Sequence, residues 1–223
     1  MVVAGRMKAW KLPVYLAAQF MGAFSAGWVV LGVFSNSIAN FETAHHIIRG
    51  TADSVKTAMM FGEYFPNPSF PATLSDVSLT KGFFIEAIGT FLLVTIILLL
   101  TEDCNVGRPS SDIAPIFIGL TVTAIICILS PLAQAGINPA RDFGPRLVAY
   151  FAGWKEIAIP GPRDGFLTVY IMGPLMGGTV SALIFGIILH RLMEVKNNIS
   201  TCEARCPPLL SRGLRFIKGL KSD

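Results

Sequence analysis

The chain has 223 residues and a formal net charge of +4, with 52% hydrophobic residues and only 14% charged residues. Soluble domains usually carry about 25% charged residues. This composition excludes an ordinary soluble globular protein and indicates a protein that resides in a membrane.

Four stretches are long and apolar enough to cross about 30 Å of hydrocarbon as α-helices. In chain order they cover residues 12–34, 82–100, 113–132 and 166–189, and only the second contains a charged residue, Glu86. We therefore expect an all-α membrane protein with four transmembrane helices, in which residues 12–192 form the transmembrane domain.

Basic residues are concentrated at both ends of the chain. Residues 1–11 carry three cations and no acid, and residues 190–223 carry seven cations and three acids. Basic flanks stay on the cytoplasmic side of a membrane. We predict a multi-pass protein of the plasma membrane (cell or inner membrane), with the N-terminal flank 1–11 and the basic tail 193–223 both cytoplasmic.

The cysteines show no framework of disulfide pairs. Cys202 and Cys206 are spaced i,i+4 in the basic tail, which is the spacing of half a metal site or of a palmitoylation site. No histidine accompanies them, so the sequence predicts no metal site.

The segment that follows the third span, residues 133–165, is too long for a turn and too interrupted by proline and glycine to span the membrane. Asn138 suits the N-cap of a helix, and Pro139 suits its first position. A helix from Pro139 to Tyr150 is roughly 18 Å long at 1.5 Å per residue, about half the thickness of a bilayer. We predict a re-entrant half-helix whose positive dipole end lies near the membrane centre.

Arg141 adds a fixed cation close to the start of this half-helix. Charge and irregular backbone at membrane depth are tolerated only against protein or a wet cavity. A guanidinium beside a positive helix end repels cations and offers hydrogen-bond donors to neutral solutes. This segment therefore predicts a pore for small neutral polar molecules.

Two polar side chains lie inside the apolar spans and need partners. We expect the carboxylate of Glu86 to accept backbone N–H groups of the re-entrant segment and to hold that segment in shape. Gln19, in the middle of the first span, is a candidate for similar support. For Glu86 the alternative is a protonated or snorkelling side chain at a helix end.

The motif NPARDFGPR at 138–146 is preceded by IGLTVTAIICILSPLAQAG and followed by AGW. These residues closely resemble the second half of the major intrinsic protein family, the aquaporins and glycerol facilitators. EAIGTFLLV and LPVYLAAQFMGAF also look like helices of that family, so the resemblance runs from about Gly5 to Leu192. It implies an aquaporin-like right-handed helical bundle, here with four transmembrane helices and one re-entrant half-helix.

The resemblance also implies that two N-terminal spans and the first Asn-Pro-Ala half-helix of the family are lacking here. A similar triplet, Asn67-Pro68-Ser69, occurs in the segment FPNPSF, which faces outward because one span separates it from the cytoplasmic N-terminal flank. We interpret it as a turn, because no arginine follows it.

The resemblance assigns roles to the four residues at the start of the half-helix. Asn138 donates amide hydrogen bonds to the passing solute, and Pro139 and Ala140 complete its Asn-Pro-Ala motif. Arg141 matches the arginine of the selectivity filter.

Four further positions bear on the choice of solute. Ile126 and Ala135 fall where two other filter residues lie, and Asp142 and Arg146 match the glycerol-facilitator subgroup. Ile126 replaces the small glycine expected in glycerol channels, and Ala135 lacks the aromatic ring that packs against glycerol. The resemblance therefore implies a passive channel for water, glycerol or similar small neutral solutes.

The same resemblance implies a homotetramer in the lipid bilayer, without a cofactor, a nucleic-acid partner or enzymatic activity. An alternative function is that of a non-conducting, shortened subunit that modulates the assembly of full-length channels.

Overall fold

The computed structural model describes residues 1–70 and 77–197, with side chains up to Met193. The predictions for the basic tail from residue 198 onward, including those for Cys202 and Cys206, lie outside the described residues.

The described part of the chain is helical and contains no β-strand. The α-helices, in chain order, are α1 (Leu12–Ala44), α2 (Val55–Ala58), α3 (Leu79–Leu100), α4 (Ala114–Ala133), α5 (Pro139–Ala149), α6 (Gly173–Ile184) and α7 (His190–Asn197). Stretches with the wider π-helical geometry follow α5 (Tyr150–Trp154) and flank α6 (Phe166–Met172 and Phe185–Leu189).

Within residues 1–70 and 77–197, four helices are long and apolar enough to cross a membrane, which agrees with the four predicted spans. They cover Ala9–Ala44, Leu79–Leu100, Ala114–Ala133 and Phe166–Met193. Many of their large apolar side chains are exposed, among them Val14, Val29 and Ile128. Exposed apolar side chains on a spanning helix have lipid as their natural solvent.

Helix α1 continues ten residues past the predicted end at Phe34 and ends at Ala44. Tertiary contacts stabilise this extension, and a hydropathy profile does not detect such contacts. Ile38 belongs to a buried cluster with Phe61 and Trp154. One turn later, Glu42 is bound through both carboxylate oxygens by Arg49 Nε at 3.0 Å.

Contacts divide the chain into two compact units. The larger unit comprises residues 13–90 and 124–177 and contains all the site residues predicted from the sequence. The smaller unit comprises residues 1–12, 91–123 and 178–223. Its described core is formed by Leu98, Ala182 and Phe185.

Within the larger unit, α5 lies directly against the backbone of α1. A Cβ atom placed on Gly144 would lie 2.6 Å from the backbone nitrogen of Phe24, and one on Gly27 would lie 2.8 Å from the Cα atom of Pro145. Small residues permit such approaches between helices in membranes. Glycine at these positions therefore fixes the distance between the half-helix and the first span.

Cys104 is disulfide-bonded, whereas the sequence predicted no disulfide.

The triplet Asn67-Pro68-Ser69 lies in a turn, as predicted. The side chain of Asn67 is buried and donates to the carbonyl oxygen of Ser130 at 2.7 Å, so the turn is anchored to the end of α4.

Candidate functional site

The candidate site is centred on the first turn of α5, which begins at Pro139 as predicted. The backbone of Asn138 is extended, and its side-chain oxygen accepts hydrogen bonds from the amides of Ala140 at 3.0 Å and Arg141 at 3.3 Å. An N-cap asparagine followed by proline at the first helical position is a favoured helix start. Since the amide oxygen faces the helix, the NH₂ group of Asn138 is directed away from it, and the residue is exposed.

Three of the four residues that precede Asn138 have positive φ angles. Gln134 and Ala135 have φ angles of 60°, and Ile137 has a φ angle of 44°. Positive φ is unfavourable for residues with a Cβ atom, and for β-branched isoleucine in particular. Such a conformation persists only where the surroundings enforce it.

Glu86, on α3, stabilises this backbone conformation through hydrogen bonds. Its carboxylate is fully buried and accepts the backbone N–H of Gly136 at 2.9 Å and that of Ile137 at 2.6 Å. One turn further, the hydroxyl of Thr90 donates to the carbonyl oxygen of Ile137 at 3.3 Å. A single acidic side chain thus pairs the two amides that precede Asn138 and holds the approach to α5.

Two further side chains hold the other end of this approach. The hydroxyl of Tyr170 donates to the carbonyl oxygen of Ala133 at 3.2 Å. The side-chain oxygen of Gln134 accepts the backbone N–H of Tyr64 at 2.6 Å. The segment between α4 and α5 is therefore tied to the last span and to the loop before α3.

Asp142 and Arg146 form a buried ion pair one helical turn apart on α5. Arg146 Nε lies 2.9 Å from Asp142 Oδ2, and Arg146 Nη2 lies 3.0 Å from Asp142 Oδ1. Both side chains are almost fully buried. The planar guanidinium matches the carboxylate in a bidentate geometry, so the pair is satisfied despite its burial.

The same pair also forms hydrogen bonds with the loop that precedes α3. The backbone N–H of Glu63 donates to Asp142 Oδ1 at 2.6 Å, and Arg146 Nη2 donates to the carbonyl oxygen of Glu63. A Cβ atom on Gly62 would lie 2.9 Å from the guanidinium carbon of Arg146. Only glycine lets the loop approach this closely, and Glu63 is thereby placed beside the first turn of α5.

Aromatic rings surround the guanidinium of Arg146. Its Cζ atom lies 4.7 Å from the ring centre of Tyr64, 5.1 Å from that of Phe166 and 5.4 Å from that of Tyr170. These distances allow cation–π attraction. Burial raises the pKa of Tyr64 to about 12, so this phenol stays neutral beside the ion pair at physiological pH.

Arg141 forms an ion pair with Glu63. The carboxylate is 7% exposed, whereas the Arg141 side chain is 52% exposed. The guanidinium is therefore held at one end and accessible at the other. Glu63 is not among the residues predicted from the sequence. It stands out only as a lone acid in the aromatic segment FGEYF, and nothing local indicates its partner 78 residues away.

The structure places the remaining predicted residues as follows. Ile126 is partly exposed on α4, at 38%, and Ala135 is buried in the strained segment before α5. Gln19 is exposed on α1. Among the described residues it makes no hydrogen bond to the segment before α5, so no contact supports the role predicted for it.

The fold and site together define a multi-pass all-α membrane protein with a short capped helix beside its spans. The chain matches the model of the major intrinsic protein family over residues 1–185. It belongs to that family, which confirms the resemblance noted in the sequence.

Relatives of known name agree with this assignment. The chain is 37% identical over 182 residues to glycerol uptake facilitator proteins of Pseudomonas aeruginosa and Escherichia coli, covering 81% of this chain and 62% of each relative. It is 36% identical over 176 residues to a propanediol uptake facilitator of Salmonella typhimurium, covering 78% of this chain and 63% of the relative. The chain thus spans about three-fifths of the length of these relatives.

A solved structure supports the fold. The aquaglyceroporin from Plasmodium falciparum superimposes with a TM-score of 0.71 at 22% identity, covering 87% of this chain and 71% of that chain. The chain therefore has an aquaporin-like fold.

Proposed function

We propose that this chain carries an Asn-Pro-Ala half-helix of a passive membrane channel for water, glycerol or similar small neutral solutes, and that it is not an enzyme. The observation that carries the proposal is the first turn of α5. There, an outward-directed amide of Asn138 and an accessible guanidinium of Arg141 share one helix start.

The chemistry of this turn favours neutral solutes over cations. The start of a helix carries a partial positive charge, and the guanidinium of Arg141 adds a full one. A hydroxyl or water oxygen accepts hydrogen bonds from both groups, whereas a cation meets repulsion from both. In this proposal Asn138, Pro139 and Ala140 form the pore motif, and Arg141 with Ile126 and Ala135 forms the filter.

Glycerol is the first solute to test. Relatives at 36–37% identity are named glycerol and propanediol uptake facilitators. The Asp142–Arg146 pair is buried and bidentate, and it fixes the loop that presents Glu63 to Arg141. In this proposal Asp142, Arg146 and Glu86 position the pore residues without touching the solute.

The location and assembly of the protein follow by the same reasoning. In this proposal the protein lies in the plasma membrane and both termini are cytoplasmic, because basic flanks favour the cytoplasmic side. Assembly as a homotetramer is carried over from the family.

The test is the permeability of liposomes to water and glycerol, measured by stopped-flow light scattering. One sample contains this chain alone. A second contains the chain extended at its N-terminus with the corresponding half of the Pseudomonas relative. We expect the extended chain to conduct and the chain alone to conduct little, because the chain spans only 62% of the length of these relatives.

The outcomes separate the candidate functions. Conduction by the extended chain supports the channel. A failure of both samples to exceed protein-free liposomes contradicts it and favours the non-conducting, assembly-modulating subunit.

A further inference from the structure

Glu102, Cys104 and His190 form a compact cluster in the smaller unit, which contains none of the candidate pore residues. The carboxylate, sulfur and ring-nitrogen atoms that they offer all lie within 4.8 Å of one another. The three residues are 2%, 2% and 5% exposed. Three different metal-ligating side chains therefore converge in a buried place.

The local fold holds the first two residues of the cluster in a tight turn after α3. The backbone N–H of Cys104 donates to Glu102 Oε1 at 3.3 Å, and that of Asn105 donates to the carbonyl oxygen of Glu102 at 3.1 Å. The side chain of Asn105 reaches back to the carbonyl oxygen of Leu99 at 2.9 Å. These hydrogen bonds hold the turn that carries Glu102 and Cys104 against the end of α3.

His190 completes the cluster from the start of α7. Its Nδ1 atom lies 3.7 Å from Glu102 Oε2. The same carboxylate oxygen is bound by Arg6, whose other amino group donates to the hydroxyl of Thr101 at 2.7 Å. Glu102 is therefore oriented toward the histidine before any ligand arrives.

The charges of the cluster suit a divalent cation. A thiolate at Cys104 and the carboxylate of Glu102 carry two negative charges, of which the neighbouring Arg6 offsets one, and the imidazole of His190 adds a nitrogen donor. Zinc accepts sulfur, nitrogen and oxygen ligands in one tetrahedral site. Calcium and magnesium prefer oxygen ligands, so the mixed donor set selects against them.

The oxidation state of Cys104 decides whether this ligand is available. Cys104 is disulfide-bonded in this structure, and a metal requires the thiolate. A dithiol reductant breaks the sulfur–sulfur bond by exchange. The dithiol loses two electrons and two protons as it closes its own disulfide, and the two protein cysteines gain them as thiols.

We propose that Glu102, Cys104 and His190 supply three ligands of a thiol-dependent Zn²⁺ site. Reduction of Cys104 creates the site, and oxidation removes it. Zinc binding by these three residues does not depend on the proposed channel function.

The experiment is a metal titration of the purified full chain in detergent. The chain is reduced with a dithiol, freed of reductant, and titrated with Zn²⁺ and with Co²⁺, whose bond to a thiolate absorbs in the near ultraviolet. An oxidised sample of the same chain is titrated in parallel. This comparison needs no substitution, so misfolding of a variant does not affect it.

Variants then identify the ligands. Cys104→Ser and His190→Gln remove one ligand each, and Cys127→Ser is the matched control because this cysteine is free and exposed. The same titration of a Cys202→Ser/Cys206→Ser chain excludes the cysteines of the tail. Thermal unfolding without metal verifies that each variant is folded.

We expect one ion per reduced chain, and an affinity at least about tenfold weaker in Cys104→Ser, in His190→Gln and in the oxidised chain. The cobalt–thiolate absorption should vanish in Cys104→Ser and persist in Cys127→Ser and in the tail variant. The proposal is overturned if the reduced chain binds no ion, if Cys104→Ser binds as tightly as the parent, or if serine at 202 and 206 abolishes binding.

Discussion

Glu63 and Arg141 form an ion pair that joins the loop before α3 to the first turn of α5. The carboxylate is buried, and the guanidinium is half exposed. This contact holds the accessible cation of the candidate site in one orientation, although the two residues belong to segments that are far apart in the sequence.

A double-mutant cycle tests this pair. Arg141→Ala leaves the buried carboxylate of Glu63 without its cation, and we expect it to lower the free energy of unfolding by about 1–3 kcal/mol. Adding Glu63→Gln should recover part of that loss, with a coupling free energy of at least about 0.5 kcal/mol. Solvent screening of the half-exposed guanidinium keeps the coupling below that of a fully buried pair.

The measurement is unfolding in mixed detergent micelles, followed by helical circular dichroism. Additive effects of the two substitutions, with no coupling, would show that the contact does not hold Arg141 in place.

Glu86→Gln tests the carboxylate that pairs the amides of Gly136 and Ile137. The substitution turns one acceptor oxygen into a donor that faces an N–H group. We expect a loss of about 1–3 kcal/mol in the free energy of unfolding, because a buried amide is left without its partner. The matched control is Glu156→Gln, since Glu156 is exposed; equal effects at the two sites would argue against the loop-holding role.

Arg146→Met tests the buried pair on α5. The substitution leaves the buried carboxylate of Asp142 without its cation. Removing one partner of a buried ion pair lowers the free energy of unfolding by about 3–5 kcal/mol. Arg146→Lys should also destabilise the protein, because lysine lacks the bidentate fork.

The exposed pair of Lys56 and Asp53 provides the control for that series. These side chains are 52% and 77% exposed, and Lys56→Met should change the free energy of unfolding by less than about 1 kcal/mol. A similar loss from Arg146→Met and from Lys56→Met, measured by the same unfolding assay, would contradict a structural role for the buried pair.

Gly144→Ala tests the close approach of α5 to α1. The added methyl group would meet the backbone of Phe24 at 2.6 Å, and forced overpacking typically costs about 1–3 kcal/mol. At Gly22, also on α1, nothing lies within 4 Å of such a methyl group. We therefore expect Gly22→Ala to leave the melting temperature unchanged or higher, and the reverse order of the two variants would refute the packing described.

The sequence predicts the spans and the half-helix well, because both depend on local signals. Uninterrupted apolar length identified the four spans, and the Asn138-Pro139 pair identified the start of α5. Glu86 was predictable as a residue with partners, because a charge inside a span needs them. Its hydrogen bonds to Gly136 and Ile137 are contacts of the expected kind. Its role in the pore stays a prediction.

What the sequence missed depends on contacts between distant segments. Nothing near Glu63 indicates Arg141, and the extension of α1 to Ala44 rests on the packing of Ile38 and the pairing of Glu42. The disulfide at Cys104 likewise has no local signal. Gln19 was predicted to support the half-helix as Glu86 does, yet its side chain is exposed. One polar residue in a span does not show which face of the helix it lies on.

The most direct test of the central claim replaces Asn138 with aspartate in the extended, conducting chain. Aspartate keeps the N-cap, because its side-chain oxygen accepts the same backbone amides, but it removes the NH₂ donor and adds a negative charge. We predict unchanged thermal stability and a fall of glycerol permeability in liposomes to nearly the protein-free rate. If the Asn138→Asp variant conducts glycerol as fast as the parent, the amide at the start of α5 does not serve the passing solute.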